Sequence, residues 1–222
     1  GAPVAGFTNV QTVGTTPWSF NNPAGRSITG AAFDANFAIM DSDFAGAGGG
    51  AATASLTSAA FDASVAGTYE LDFNQQFQAG FGGVGAVEVF NGTTWTAVLN
   101  YAATSQGFPN PAVATNVDIT AAAGGSAVAQ VRFTFSGDYA WWWAVDNISV
   151  ERIAPAVCPA PVGLAISALT TTSLTGTWSV EPSATDYNWE VRTSGVGGSG
   201  PTGLVQSGVV ATNTVTVSSL TP

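Results

Sequence analysis

Histidine and lysine are absent from the 222 residues, and cysteine occurs once, at Cys158. Without histidine there is no Ser-His-Asp triad, no Cys-His pair and no histidine-based metal centre. Without lysine there is no Schiff-base amine and no phosphate-binding P-loop. One cysteine rules out a disulfide within the chain. Charge is scarce too: 8% of residues, with Arg26, Arg132, Arg152 and Arg192 the only basic side chains. A formal net charge of -10 argues against nucleic acid and against anionic lipid as partners. No run approaches the roughly 18 apolar residues of a membrane span. Stretches rich in Glu, Lys, Leu and Arg, which build helices, are missing as well.

What remains is 45% hydrophobic and holds 27 glycines, a composition of strands and turns with enough apolar mass for a real core. Residues 1–30 read as loop, with Phe7, Trp18 and Phe20 as anchors. Phe37–Met40 and Ala52–Thr57 are short strands. From Gly67 to Phe77 the side chains alternate, Tyr69, Leu71 and Phe73 on one face and Glu70, Asp72 and Asn74 on the other. Asn91-Gly92 between two alternating runs is the signal of a two-residue hairpin turn. Further strands fall at 116–120, at 127–135 (Val131, Phe133 and Phe135 on one face) and at 139–150. Eight or nine strands without a convincing helix predict a jelly-roll β-sandwich over residues 1–152. Its core should include Ile39, Leu56, Leu71, Phe73, Val87, Val89, Val131, Phe133, Phe135, Ile148 and Val150.

Residues 153–161 form a Pro-rich, semi-extended linker. Strand patterns about ten residues apart follow at 162–167, 173–179, 186–193 and 213–218, with a weaker one near Leu204. That spacing predicts an immunoglobulin-like sandwich over residues 162–222.

The densest stretch is Tyr139-Ala-Trp-Trp-Trp-Ala-Val-Asp-Asn-Ile-Ser-Val150. Strict alternation places Trp142 on the face of Ile148 and Val150, with Trp141 and Trp143 opposite; a bulge near Asp146 reverses this. Aromatic faces stack on sugar rings, so Tyr139, Trp141 and Trp143 are candidate ligand-binding residues, and core packing is the alternative for any of them. The loops around Gly80-Phe81-Gly82-Gly83 and Gln106–Asn110 are candidates of the same kind. Asp41-Ser-Asp43, followed by glycines, offers two carboxylates on an adaptable loop, and Asp146 a third; this is oxygen-ligand chemistry suited to calcium. The alternative is a solvated acidic turn, with Asp146 satisfied by backbone N–H groups or Arg132. Paired carboxylates are the catalytic chemistry left open. The carboxylates lie mostly on turns or point outward from strands, so no enzyme is expected.

Seven pieces in order resemble the choice-of-anchor J and cleaved-adhesin jelly rolls, relatives of the MAM domain. They are Ala38–Asp43, Leu56–Ser58, Leu71–Phe73, Asn91–Trp95, Val117–Thr120, Val131–Phe135 and Trp143–Ile148. Pro161–Leu164, Ser173–Thr175, Trp178, Tyr187–Val191 and Leu220–Pro222 resemble a fibronectin type III domain. The pairing is similar to large secreted bacterial proteins exported by type IX secretion. The resemblance implies a non-catalytic, extracellular cell-surface module that binds glycans or other surface proteins. Its alternatives are a spacer or repeat of a surface fibre, and the accessory tail of a secreted hydrolase. Relatives often begin Phe-Glu where this chain has Phe7-Thr8. A type III domain also has strands F and G after strand E, and the sequence stops before them. The expectation is therefore a piece of a longer polypeptide, with self-association or strand donation open to the second domain.

Overall fold

The structure, a computed structural model, describes residues 6–30, 33, 36–109, 111–155 and 160–221. The chain divides into two compact units, Gly1–Pro155 and Ala156–Pro222. Residues 156–159 of the Pro-rich segment, Cys158 and Pro159 among them, lie outside the described residues.

The first unit is all-β but for one helical turn, α1 (Thr120–Ala123). Its strands are β1 (Phe7–Val13), β2 (Ala38–Asp41), β3 (Ala51–Ser58), β4 (Thr68–Phe77), β5 (Val84–Phe90), β6 (Trp95–Tyr101), β7 (Val113–Asp118), β8 (Gln130–Asp138) and β9 (Trp142–Ile153). One sheet runs β2-β9-β4-β7 and the other β1-β3-β8-β5-β6, with every ladder antiparallel. The pair 2-9-4-7 and 3-8-5-6 is the strand order of a jelly roll, with β1 added at one edge.

Alternation builds the core. Tyr69, Leu71 and Phe73 point inward from β4 while Glu70 and Asp72 stay half-exposed, which fixes the register. Phe73 meets Phe133 edge-on at 5.0 Å. Trp143 lies fully buried among Trp18, Phe77, Tyr101 and Phe133. Its indole Nε1 donates to Gln75 Oε1 at 3.1 Å. Gln75 Nε2 donates to Tyr101 Oη and Thr115 Oγ1, both at 2.8 Å, so this buried amide is satisfied on both ends. Gly85 makes room for the indole: a Cβ there would stand 3.0 Å from Trp143 Cε3.

Three expectations change. The Asn91-Gly92 hairpin is a four-residue loop, since Phe90 pairs with Trp95. Asn91 Oδ1 accepts the Thr93 and Thr94 N–H groups, and this side-chain turn takes up the two extra residues. The tryptophan faces are reversed. Asp72 pairs with Ser149 but Asn74 with Asp146, so β9 carries an extra residue opposite Phe73. Asn147 takes it up at φ 52°. The bulge puts Trp143 and Val145 on the core face with Ile148 and Val150. Trp142 and Ala144 instead face outward, under a layer of Ile28, Phe33, Phe37 and Phe108. Ile39 belongs to that outer layer too, buried but on the far side of the sheet from the sandwich core.

The second unit pairs β10 (Ala165–Ser167), β11 (Leu174–Thr177) and β14 (Thr214–Val217) in one sheet. The other holds β12 (Tyr187–Arg192) and β13 (Leu204–Val210). The weak signal near Leu204 is a full seven-residue strand. Trp178 and Tyr187 meet at 5.3 Å and, with Val217, are the buried apolar side chains among the described residues of this unit.

Candidate ligand-binding site

Three loops meet at one end of the first unit. Gly83 N–H donates to Gly80 O at 3.0 Å, closing a tight turn with Phe81 and Gly82 at its centre. Both central residues have positive φ, 49° and 78°. Glycine, asparagine and aspartate favour this turn; a phenylalanine held there is strained by about 1–3 kcal/mol. Phe81 is nonetheless 70% exposed, so burial does not compensate the strain. Its ring packs against Trp141 at 5.7 Å. Trp141 in turn lies across Gly80, where a Cβ would come within 2.8 Å of the indole.

The Trp141 loop is pinned from below. Ser42 Oγ donates to Ala140 O, and the Ala140 methyl fills the space beside Gly83 and Gly137. Tyr139, at φ 47°, is the second aromatic on left-handed backbone here, and it too is exposed. Trp141 meets Trp142 edge-on at 5.9 Å, which joins the exposed rings to the buried outer layer.

Beside this layer the Arg26 guanidinium sits 4.4 Å over the Trp142 ring. Its Nε donates to Asp41 Oδ2 at 2.7 Å, and Nη2 donates to Asp41 Oδ1 at 2.8 Å and to Asp43 Oδ2 at 2.5 Å. The hydrogen bond to Asp41 raises the Arg26 pKa above its ordinary value, against an opposing effect of burial. Asn22 holds the arginine backbone, accepting from Arg26 N–H and donating to Arg26 O. Asp41 is 2% exposed and also accepts the Phe44 N–H at 3.0 Å. A groove of 380 Å3 opens next to it, lined by Thr15, Thr16, Ser19, Asp41 and Phe44.

These positions revise the candidate residues. Trp143 is core and has no exposed surface. Tyr139 is exposed and Trp141 half-buried, so those two stay at the loop end. Asp41 and Asp43 come together, but around Arg26. Asp146 does not join them: Asp41 pairs with Trp142, four residues away on β9, roughly 13 Å along the strand. No group of three metal-ligating side chains occurs among the described residues. Both Asp41 carboxylate oxygens and Oδ2 of Asp43 accept from the Arg26 guanidinium, which supplies the positive charge at this loop. Arg132 is not the partner of Asp146 either. It pairs bidentately with Glu88 at 2.6 and 2.8 Å and stacks on Trp95 at 4.0 Å, on the other sheet. Arg26, the residue that decides the fate of the acidic loop, lay in a stretch with no periodic signal. Phe81 was signalled by the glycines around it.

No protein-family model matches the chain, and no curated protein matches it. Among solved structures it is similar to the K3 cleaved adhesin domain of Lys-gingipain from Porphyromonas gingivalis W83. That match has 15% identity and a TM-score of 0.48, covering 67% of this chain and 93% of that one. It is also similar to TmCBM61 in complex with β-1,4-galactotriose (12%, TM-score 0.42, 67% and 89% covered). A third is CBM27-1 of Caldicellulosiruptor saccharolyticus with mannohexaose (15%, TM-score 0.38, 60% and 83% covered). All three TM-scores fall under one half, and the function of this chain rests on its own residues. No helix among the described residues is long and apolar enough to cross a membrane.

Proposed function

We propose that the first unit is a non-catalytic binding module whose loop end takes neutral carbohydrate on Phe81, Trp141 and Tyr139. One observation carries this: Phe81 is a large apolar ring on strained backbone, displayed to solvent and braced by a tryptophan. Strain of that kind persists where a ligand uses it. Aromatic faces suit the C–H faces of sugars, and the groove beside Asp41 offers the hydroxyls of Thr15, Thr16 and Ser19. The chain's missing acid–base residue types support a binding role over catalysis, and its net negative charge supports uncharged ligands. In this reading the chain is an extracellular module of a larger surface protein. The second unit is a fibronectin type III-like companion, with β10, β11, β12, β13 and β14 as strands A, B, C, C′ and E.

The test is an array of neutral oligosaccharides followed by calorimetric titration of each hit. Phe81→Gly should lose at least tenfold in affinity while stability rises by about 1 kcal/mol as the strain is relieved. Trp141→Ala should lose affinity to a similar degree. A native chain that binds nothing on the array, or a Phe81→Gly variant that binds like the native chain, overturns the reading.

A further inference from the structure

On the outward face of the β2-β9-β4-β7 sheet, Trp142 stands between two polar side chains. Asp41 is opposite it on β2. Gln78, which continues the line of β4, is opposite it on the other side, with its N–H donating to Trp142 O at 3.0 Å. Gln78 is 9% exposed and Trp142 6%. The Arg26 guanidinium covers the flat of the indole, and Phe108 meets it edge-on at 5.5 Å. The Asp41 carboxylate is turned to Arg26 and to the Phe44 N–H. Two buried polar atoms in this row have no hydrogen-bond partner: the donor Nε1 of Trp142 and the acceptor Oε1 of Gln78. Buried donors and acceptors are costly to leave unmatched.

The polarity of this pair decides what fits it. An indole N–H repels a cation, and an amide oxygen repels an anion. A small neutral molecule that accepts one hydrogen bond and donates another satisfies both. Opposed residues on an antiparallel pair have Cβ atoms about 4.5–5.5 Å apart, so one such molecule can reach both side chains. Ile28, Phe33, Phe37 and Phe108 pack over this face, which suits something no larger than water. We propose that a buried water molecule bridges Trp142 Nε1 and Gln78 Oε1 and ties together the roots of the two loops that carry Phe81 and Trp141. Gln78 lies three residues before Phe81, and Trp142 directly follows Trp141. Higher up, the same loops meet through their rings at 5.7 Å. The bridge holds at the base what the ring contact holds at the tip, whatever the loop end binds.

Two measurements on the native chain test this. A crystal structure that resolves ordered water should show one oxygen about 2.7–3.2 Å from both atoms. In solution, the indole proton of Trp142 should show a water cross-peak with the sign of a long-lived bound molecule. Variants then test the tie. Gln78→Met and Trp142→Phe should each lower the thermal midpoint by several degrees. The double variant should lose clearly less than the two single losses combined, because removing both partners leaves neither stranded. The Gly83 amide, which closes the Phe81 turn on Gly80 O, should exchange at least tenfold faster in Gln78→Met. An empty position in the crystal, or a direct hydrogen bond between the amide and the indole, overturns the proposal. So do additive losses, or a Gly83 amide that keeps its native exchange rate. The crystal and the cross-peak use the native chain, so they decide the matter even if the variants fold poorly.

Discussion

The two units use the same strand chemistry and end in different states. In the first, Leu56, Leu71, Phe133, Phe135 and Trp143 have essentially no exposed surface. In the second, Ile166 is 51% exposed although it pairs with Gly176 on the inward side of its sheet. Alternation sorts apolar side chains to one face but does not seal that face. Sealing needs an opposing sheet of matching width, which a four-stranded sheet has in its five-stranded partner and a two-stranded β12-β13 ribbon does not provide.

The sharpest way to break this contrast is truncation at matched inner positions. Trp143→Ala should destabilise the first unit by about 3–5 kcal/mol, seen as a lower denaturant midpoint, through the cavity and the stranded Gln75 amide. Ile166→Ala should cost under about 1 kcal/mol, because half of that side chain never left water. Equal losses at the two sites would refute the difference in sealing.

The next effect concerns a charge inside the well-sealed unit. Arg26→Ala leaves Asp41 buried without its partner and should cost about 3 kcal/mol in chemical denaturation. Arg26→Lys should recover only part of this, since one ammonium cannot reproduce the fork that holds Asp41 and Asp43. A neutral Arg26→Ala would mean the loop relaxes and rehydrates Asp41.

The smallest effect is a pH dependence. The hydrogen bond from Arg132, helped by Thr134 and opposed by burial, holds the Glu88 pKa below its ordinary value. A depressed carboxylate stabilises the fold above the unfolded value of about 4.3, and this is lost as pH falls through the folded value. The pair is partly solvent-screened, so Glu88→Gln should remove at most about 1 kcal/mol above pH 5 and flatten the acid limb of the stability curve. An unchanged acid limb would show that Glu88 gains nothing from the pair.

Much of the sandwich was legible because alternation is a local property. The inward set Leu71, Phe73, Val87, Val89, Val131, Phe133 and Phe135 is buried as read, and the outward set of β4, Glu70, Asp72 and Asn74, is half-exposed as read. What the sequence did not disclose depends on distant chain. Trp143 reads like its two neighbours until the bulge at Asn147 assigns it to the core. Asp41 and Asp43 look like metal ligands until Arg26, fifteen residues before Asp41 and in an aperiodic loop, folds back onto them. The glycines around Phe81 mark its loop as a candidate, but its backbone angle and its contact with Trp141 are visible only in the structure.

Asn147 also separates two halves of β9 that a residue count alone would put out of step. Ahead of it, odd-numbered side chains face the interior; behind it, even-numbered ones do. Removing that one residue closes the numbering: Asp146 then runs directly into Ile148, and strict alternation keeps Trp143, Val145, Ile148 and Val150 on one face. The ladder to β4 becomes one-to-one opposite Phe73. A single-residue deletion at 147 should therefore leave both faces of the strand as they are and remove the positive φ as well, with a denaturant midpoint close to that of the native chain.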